Sequence, residues 1–380
     1  MRFLFIIQGE GRGHMTQAIA LAQLLDKMGH QLSAVCIGTS KRRSIPDFVK
    51  NAFTVPLHQF ESPNFITDKK QKGIKIGKTI TNNLVKTKDF ISSMEKIHAL
   101  VTEHEPDIIL NFYDILGGLY NFLYRPKGQF WVIGHQYLSE HRSFVFAKGF
   151  RIQKYLFNLN TQVTALGADK KLALSFRPLE DEQKKKIVVL PPLLREDLKN
   201  LATQDGDFYL TYMVNHGYSE EVMNFAQRNP EIKIEAFWDK KEAGKEFKAL
   251  DNLTFHQVDD RLFLEKMATC KGLVSTAGFE SICEAMYLGK PVMFVPVQGQ
   301  YEQLCNALDA EISGAGVQHT HFDFKYFDKI LETRNFGTDQ AKNWIDSFPF
   351  IFQRQIEQSY GTRFNSAYRE QTITSSVPNS

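Results

Sequence analysis

"GLVSTAGFESICEAMYLGKPVMFVPVQGQYEQLCNA", residues 272–307, reads as a strand, a turn from Ser275 to Gly278, a helix to Leu288, and a second strand that runs into a second helix. The first amides of a helix that starts at Gly278 have no intrahelical acceptor, and together with the helix dipole they attract an anion. Ser281 and Glu284 lie three residues apart and so project from one face of that helix. A hydroxyl near phosphate and a carboxylate one turn further on suit a nucleoside diphosphate. Thr276 and Ser281 would face the phosphates, and Glu284 would accept from two ribose hydroxyls. Glu280, in the first turn, reads as a solvated acid favoured by the dipole. Beyond the second strand Gln298, Glu302 and Gln303 reach the same edge, where an acid and amides bind sugar hydroxyls.

A second glycine-rich turn opens the chain, "GEGRGHMTQAIALAQLL" at 9–25. Gly9, Gly11 and Gly13 let a backbone turn tightly and approach a ligand closely. A P-loop would need Gly-Lys-Ser/Thr, but Gly13 is followed by His14 and Met15. A dinucleotide site would need G-x-G-x-x-G and an acid closing the second strand. The spacing here is G-x-G-x-G, and "QLSAVCIGTS" ends without an acid. What remains is a strand-to-helix turn with a histidine at the helix N-terminus. The helix itself carries an apolar face of Ile19, Leu21, Ala22, Leu24 and Leu25.

Around these two turns the chain alternates strand and helix. "RFLFII", a helix over 14–28, "QLSAVCIG", a Lys-rich helical stretch over 74–104, "PDIILNF" and "GQFWVIGH" read as one parallel sheet covered on both faces. "IVVLPPLLR" (187–195), with its Pro pair, reads as an interdomain connection. The pattern restarts with "DFYLTYMV" and repeats through "KIEAFW", "NLTFHQV", "GLVSTAG" and "PVMFVPV". Two doubly wound α/β halves follow, with the ligand expected in the cleft beyond the carboxyl ends of their strands. The expected division is 1–190, 191–340, a helical segment over 341–368 packing back towards the first domain, and a disordered polar tail over 369–380.

The bulk properties fit this division. A chain of 380 residues exceeds what one core usually supports. Its 43% hydrophobic and 23% charged content is that of a globular protein. No apolar run approaches the length of a membrane span, and no cleavable leader is recognisable. Cys36, Cys270, Cys283 and Cys305 have no zinc-like spacing, so reduced thiols in the cytoplasm and no metal are expected. The net charge of +3 hides an asymmetry: residues 1–190 carry 27 Lys and Arg against 16 Asp and Glu, the remainder 19 against 27. Basic residues gather in "KKQKGIKIGK" (69–78) and, among aromatics, in "HRSFVFAKGFRIQKYLFNLN" (141–160). These stretches read either as solvated amphipathic faces or as a surface for an anionic membrane or lipid-linked acceptor. No nucleic-acid motif accompanies them.

The 272–307 stretch resembles the nucleotide-sugar motif of the GT-B glycosyltransferases, the MurG-like and UDP-glycosyltransferase-like superfamily. The likeness rests on Gly278, Ser281, Glu284, Gly289-x-Pro291, Pro296, Glu302-Gln303 and Asn306-Ala307. "GEGRGHMTQAIALA" is similar to the Gly-rich loop and histidine of the same enzymes, which places Gly11 and Gly13 at the donor. "EPDIILNFYD" (105–114) is similar to the segment where many members carry an acid that orients that histidine. Thr276 and Glu280 depart from the family pattern, as does "MVNHG" after the first strand of the second half. The resemblance implies an inverting, metal-independent transferase that moves a sugar from a nucleotide diphosphate, UDP above all, to an acceptor hydroxyl of a lipid-linked or cell-envelope glycan. No cofactor is implied. The enzyme would be cytoplasmic, at most peripheral at the inner membrane face.

Under this resemblance His14 is the general base, its activity falling as an imidazole of ordinary pKa, roughly 6.5, becomes protonated. Asp114 orients it or, alternatively, caps the next helix. His135 and Gln136 in "VIGHQYL" either bind acceptor or supply the base instead. The same donor site would also serve a nucleotide-sugar 2-epimerase, a hydrolase or a non-catalytic binding subunit.

Overall fold

The computed structural model describes the chain except residues 41–43, 64–86, 214–215, 239, 241–243, 335, 337–338 and 361–380. The basic stretch at 69–78, the start of the 74–104 segment, part of "MVNHG" and the polar tail therefore lie outside the described residues.

Fourteen strands are described, in two sheets of seven. The first comprises β1 (Arg2–Gln8), β2 (Gln31–Thr39), β3 (Leu57–Glu61), β4 (Ile108–Phe112), β5 (Gln129–Gly134), β6 (Lys170–Leu174) and β7 (Ile187–Leu190). Their order is β3-β2-β1-β4-β5-β6-β7 with every pairing parallel. The second comprises β8 (Phe208–Tyr212), β9 (Lys233–Trp238), β10 (Glu246–Leu250), β11 (Leu253–Gln257), β12 (Gly272–Ser275), β13 (Val292–Phe294) and β14 (Gly316–Gln318), in the order β10-β11-β9-β8-β12-β13-β14. Only β10 runs antiparallel, as an edge hairpin with β11.

Burial on both faces explains the near-continuous apolar strands. Phe3 to Ile7 and Ile108 to Leu110 are wholly enclosed, because helices pack on either side of a parallel sheet. One core cluster takes Phe3, Phe5 and Ile7, and the other takes Leu4 and Ile6. Between residues 191 and 207 the chain crosses to the second sheet. The stretch read as a connection thus begins with a strand, because Ile187–Leu190 pairs with β6 before Pro191 and Pro192, which lack an N–H, end the ladder. A last helix over 348–360 returns to the first sheet, with Phe352 edge-on to Trp131 and Gln355 accepting from Lys170 at 2.8 Å.

Strand order also fixes the site. Each sheet reverses direction of winding at one point, between β1 and β4 in the first and between β8 and β12 in the second. Loops leaving the carboxyl ends of strands diverge there and open a crevice. The Gly9–Gly11 turn, Asp114 and the Ser275–Gly278 turn all follow strands at those two points, and Gly13 falls in the first turn of the helix that begins at Arg12.

Candidate active site

Gly9 makes the tight turn out of β1. A Cβ there would lie 2.6 Å from Thr39 Cγ2 and 2.9 Å from the Gly38 carbonyl oxygen, so no other residue fits. The helix Arg12–Lys27 starts at Gly11 with no side-chain cap and no acid in its first turn. Across the cleft the helix Phe279–Tyr287 starts at Gly278, likewise without a side-chain cap. Two helix N-termini, each with orphan amides, thus face one another. At Gly13 a Cβ would stand 3.1 Å from Glu280 Cγ, which measures how closely they approach. Space in front of Gly11 is open, with no atom within 4 Å of a Cβ placed there.

His14 projects between them. Its ring stacks on Tyr113 at 5.6 Å between centroids, its Nε2 lies 3.5 Å from Gln136 Nε2, and its buried Nδ1 has no hydrogen-bond partner. The side chain is half-buried, and desolvation in the cleft lowers its pKa to about 4, with the neighbouring Gln17 amide opposing. The imidazole is therefore neutral well below the ordinary histidine range, which moves the expected acid limb of activity downward. Tyr113 was not foreseen from sequence. It holds the left-handed conformation at φ 62°, rare for a bulky residue, and donates or accepts at Thr161 Oγ1 at 2.8 Å.

Asp114 is not hydrogen-bonded to His14. It is the N-cap of the helix Ile115–Tyr124, with Oδ1 accepting from the amides of Leu116 at 2.8 Å and Gly117 at 3.2 Å, and Oδ2 accepting from Ser62 Oγ at 2.8 Å. Asn111 Oδ1 receives the Asp114 amide at 3.0 Å, closing the cap. Burial outweighs these bonds and raises its pKa to about 6. The orienting role expected by resemblance is replaced by a capping one, since both oxygens are engaged elsewhere. Asp114→Ala is expected to lower unfolding stability by about 1–2 kcal/mol, the worth of a strong cap, in urea titration. A kcat loss as large as that of a His14 variant at unchanged stability would return Asp114 to the chemistry.

His135 is wholly enclosed in the wall between the two halves. It stacks on Phe279 at 4.3 Å, Nδ1 lies 2.8 Å from the Leu174 carbonyl oxygen, and Nε2 is 3.8 Å from Asp309 Oδ2. Burial is the main cause that lowers its pKa. Arg177 Nη1 pairs with Asp309 Oδ1 at 2.6 Å beside it. These contacts make His135 a joint between halves, with neither nitrogen turned to an acceptor. Its neighbour Gln136 does reach the cleft and donates from Nε2 to Glu302 Oε1 at 2.8 Å. Gln136 therefore touches both His14 and the acid expected to hold the donor sugar.

On the second sheet Thr276 is buried with an unpartnered Oγ1 at the helix N-terminus. Ser281 Oγ donates to the Gly278 carbonyl at 3.3 Å, a bond a rotating hydroxyl can exchange for phosphate. Asn306 Nδ2 braces the turn through the Ala277 carbonyl at 3.1 Å. Gln303 is committed to structure, its Oε1 accepting from the Val297 amide at 2.8 Å. Glu284 is buried and pairs with Arg195 Nη2 at 2.9 Å. Burial comes first in raising the Glu284 pKa, and the Arg195 charge opposes it.

Glu280 is not the solvated acid its position suggested. It accepts from Gln17 Nε2 of the facing helix, its Oε2 has no partner, and desolvation raises its pKa to about 8. Neither Arg195 nor Gln17 carries a sequence signal, because both reach the site from distant parts of the chain. Among the described residues no three His, Cys, Asp or Glu side chains gather as a cation site.

A family model described as Glycosyl transferase family 1 matches residues 1–333. No curated protein matches the chain. Solved structures do share its fold. The glycotransferase of kitacinnamycin is 14% identical with a TM-score of 0.63, over 94% of this chain and 98% of that one. Spinosyn rhamnosyltransferase SpnG complexed with thymidine diphosphate is 12% identical at 0.62, over 94% and 100%. MurG of Acinetobacter baumannii is 16% identical at 0.55, over 94% and 99%.

Proposed function

The chain belongs to glycosyl transferase family 1 and is a GT-B glycosyltransferase, and from that premise we propose that it transfers a sugar from a UDP-sugar to an acceptor hydroxyl with inversion at the anomeric carbon. The observation that carries this reading is the pair of uncapped helix N-termini facing across the cleft with His14 between them. The acceptor oxygen attacks the anomeric carbon as the bond to the diphosphate oxygen breaks. Its proton passes to the neutral imidazole of His14, and the diphosphate leaves with the added negative charge. The first amides of the helix Phe279–Tyr287, with Thr276 and Ser281, would neutralise that charge without a metal ion. Glu302 and Gln136 would meet the sugar, and Glu284 the ribose. Two hydroxyls on the ribose favour UDP over thymidine diphosphate, because the deoxyribose offers a carboxylate only one. A lipid-linked or cell-envelope glycan is the proposed acceptor.

Incubation with UDP-, GDP- and dTDP-sugars followed by mass spectrometry tests this directly. Transfer that persists in excess chelator is the expected outcome. Free sugar alone marks a hydrolase, an altered sugar nucleotide an epimerase, and UDP binding without turnover a non-catalytic subunit.

A further inference from the structure

Five of the twelve large apolar side chains that stand exposed among the described residues fall within 145–159: Val145, Phe150, Ile152, Tyr155 and Leu159. Scattered exposed apolar residues need no explanation, but a contiguous group does. Ile152, Tyr155 and Leu159 follow one another at helical spacing on the helix Arg151–Thr164, and the first two are 68% and 65% exposed. Phe150 starts that helix in the left-handed conformation at φ 54°, with its ring half exposed. Backbone strain of this kind persists only where the surroundings or a function hold it.

Charge selects the occupant. No Asp or Glu occurs from 141 to 168, while Lys148 and Arg151 stand exposed at the tip and Lys154 lies over the Phe146 ring at 3.8 Å. Arg142 is paired with Glu180 and contributes less. Lysine is depleted in protein–protein interfaces, whereas apolar wedges ringed by cations suit the headgroup region of a bilayer. The tip also borders the cleft, because Tyr301 Oη donates to the Ala147 carbonyl at 2.7 Å and Phe157 meets the Tyr301 ring. Tyr301 adjoins Glu302, which Gln136 links towards His14.

We propose that this face docks the enzyme on an anionic lipid bilayer, with Phe150, Ile152 and Tyr155 in the headgroup layer and Lys148 and Arg151 on lipid phosphates. The bilayer then lies at the rim of the cleft, so that an acceptor carried by a lipid reaches His14 without leaving the surface. That last clause rests on the transfer reading above, but docking is measured without donor or acceptor and stands or falls separately.

The test is co-sedimentation of the full chain with phosphatidylcholine vesicles, with and without phosphatidylglycerol. Binding is expected only with phosphatidylglycerol, and it should weaken as salt shortens the screening length from about 10 Å to about 3 Å. Lys148→Ala/Arg151→Ala should reduce partitioning roughly 25-fold, about fivefold for each cation. Ile152→Ser/Tyr155→Ser should abolish it while UDP affinity stays at the parental value. Absence of binding to anionic vesicles at low salt, or binding that neither double variant changes, overturns the proposal. So does a concentration-dependent dimer in sedimentation velocity that Ile152→Ser/Tyr155→Ser dissolves, since a second copy would then own the face.

Discussion

Replacing His14 with alanine is expected to lower kcat by on the order of 10²- to 10⁴-fold, the usual contribution of a positioned general base. UDP affinity should hardly move, because the groups proposed to hold the nucleotide lie on the second sheet. The pH profile carries a sharper test. With a pKa lowered to about 4 by burial, the imidazole accepts a proton throughout the neutral range. Protonation of this imidazole should therefore add no limb to kcat/KM above about pH 5. Bound diphosphate places negative charge beside the ring and favours its protonated form, so the acid limb of kcat should lie at higher pH than that of kcat/KM. Full kcat in His14→Ala at an unchanged melting temperature would remove this imidazole from the reaction.

Much of the fold was legible because burial writes itself into sequence. β1, β4 and β5 are apolar runs enclosed on both faces, and the helix Arg12–Lys27 keeps its buried side chains at helical spacing. Short edge strands were harder. β3 buries only Phe60, β10 has no buried residue, and β14 is three residues long, so neither alternation nor length marks them. The site divided in the same way. Residues defined by local geometry, such as Gly278 and the Ser281–Glu284 pair on one helical turn, follow from spacing alone. Residues defined by long-range contact do not. Nothing near Glu280 announces that Gln17 lies opposite it, and nothing near Asp114 announces Ser62. The sequence offered both readings of Asp114, and contact with Ser62 and two helix amides leaves the cap. His14 was placed by its motif, but its pKa depends on burial beneath elements that no local pattern specifies.

Glu284→Gln is expected to weaken UDP binding roughly ten- to a hundredfold, because hydrogen bonds to a charged group are each worth about 1.5–3 kcal/mol and the amide keeps only one acceptor oxygen. Glutamine is the informative replacement. Both replacements remove the charge that faces Arg195 at 2.9 Å, and breaking a buried ion pair from one side costs about 3–5 kcal/mol, but glutamine leaves the guanidinium an acceptor oxygen and alanine leaves none. Glu284→Ala is therefore expected to lower stability as well as UDP affinity. Arg195→Met separates the two roles of the carboxylate. Burial already raises the Glu284 pKa and the guanidinium holds it back, so without Arg195 the group takes up a proton at higher pH. UDP affinity of Arg195→Met should then climb with pH as the carboxylate re-forms, while Glu284→Gln shows no such slope. Glu280→Gln supplies the control. With its pKa raised to about 8 by burial, Glu280 is largely protonated at neutral pH, and the amide imitates that form. Isothermal titration calorimetry should find its UDP affinity at the parental value near pH 7 and diverging as the pH rises through about 8. Equal losses in Glu284→Gln and Glu280→Gln at pH 7 would show that the ribose does not rest on Glu284.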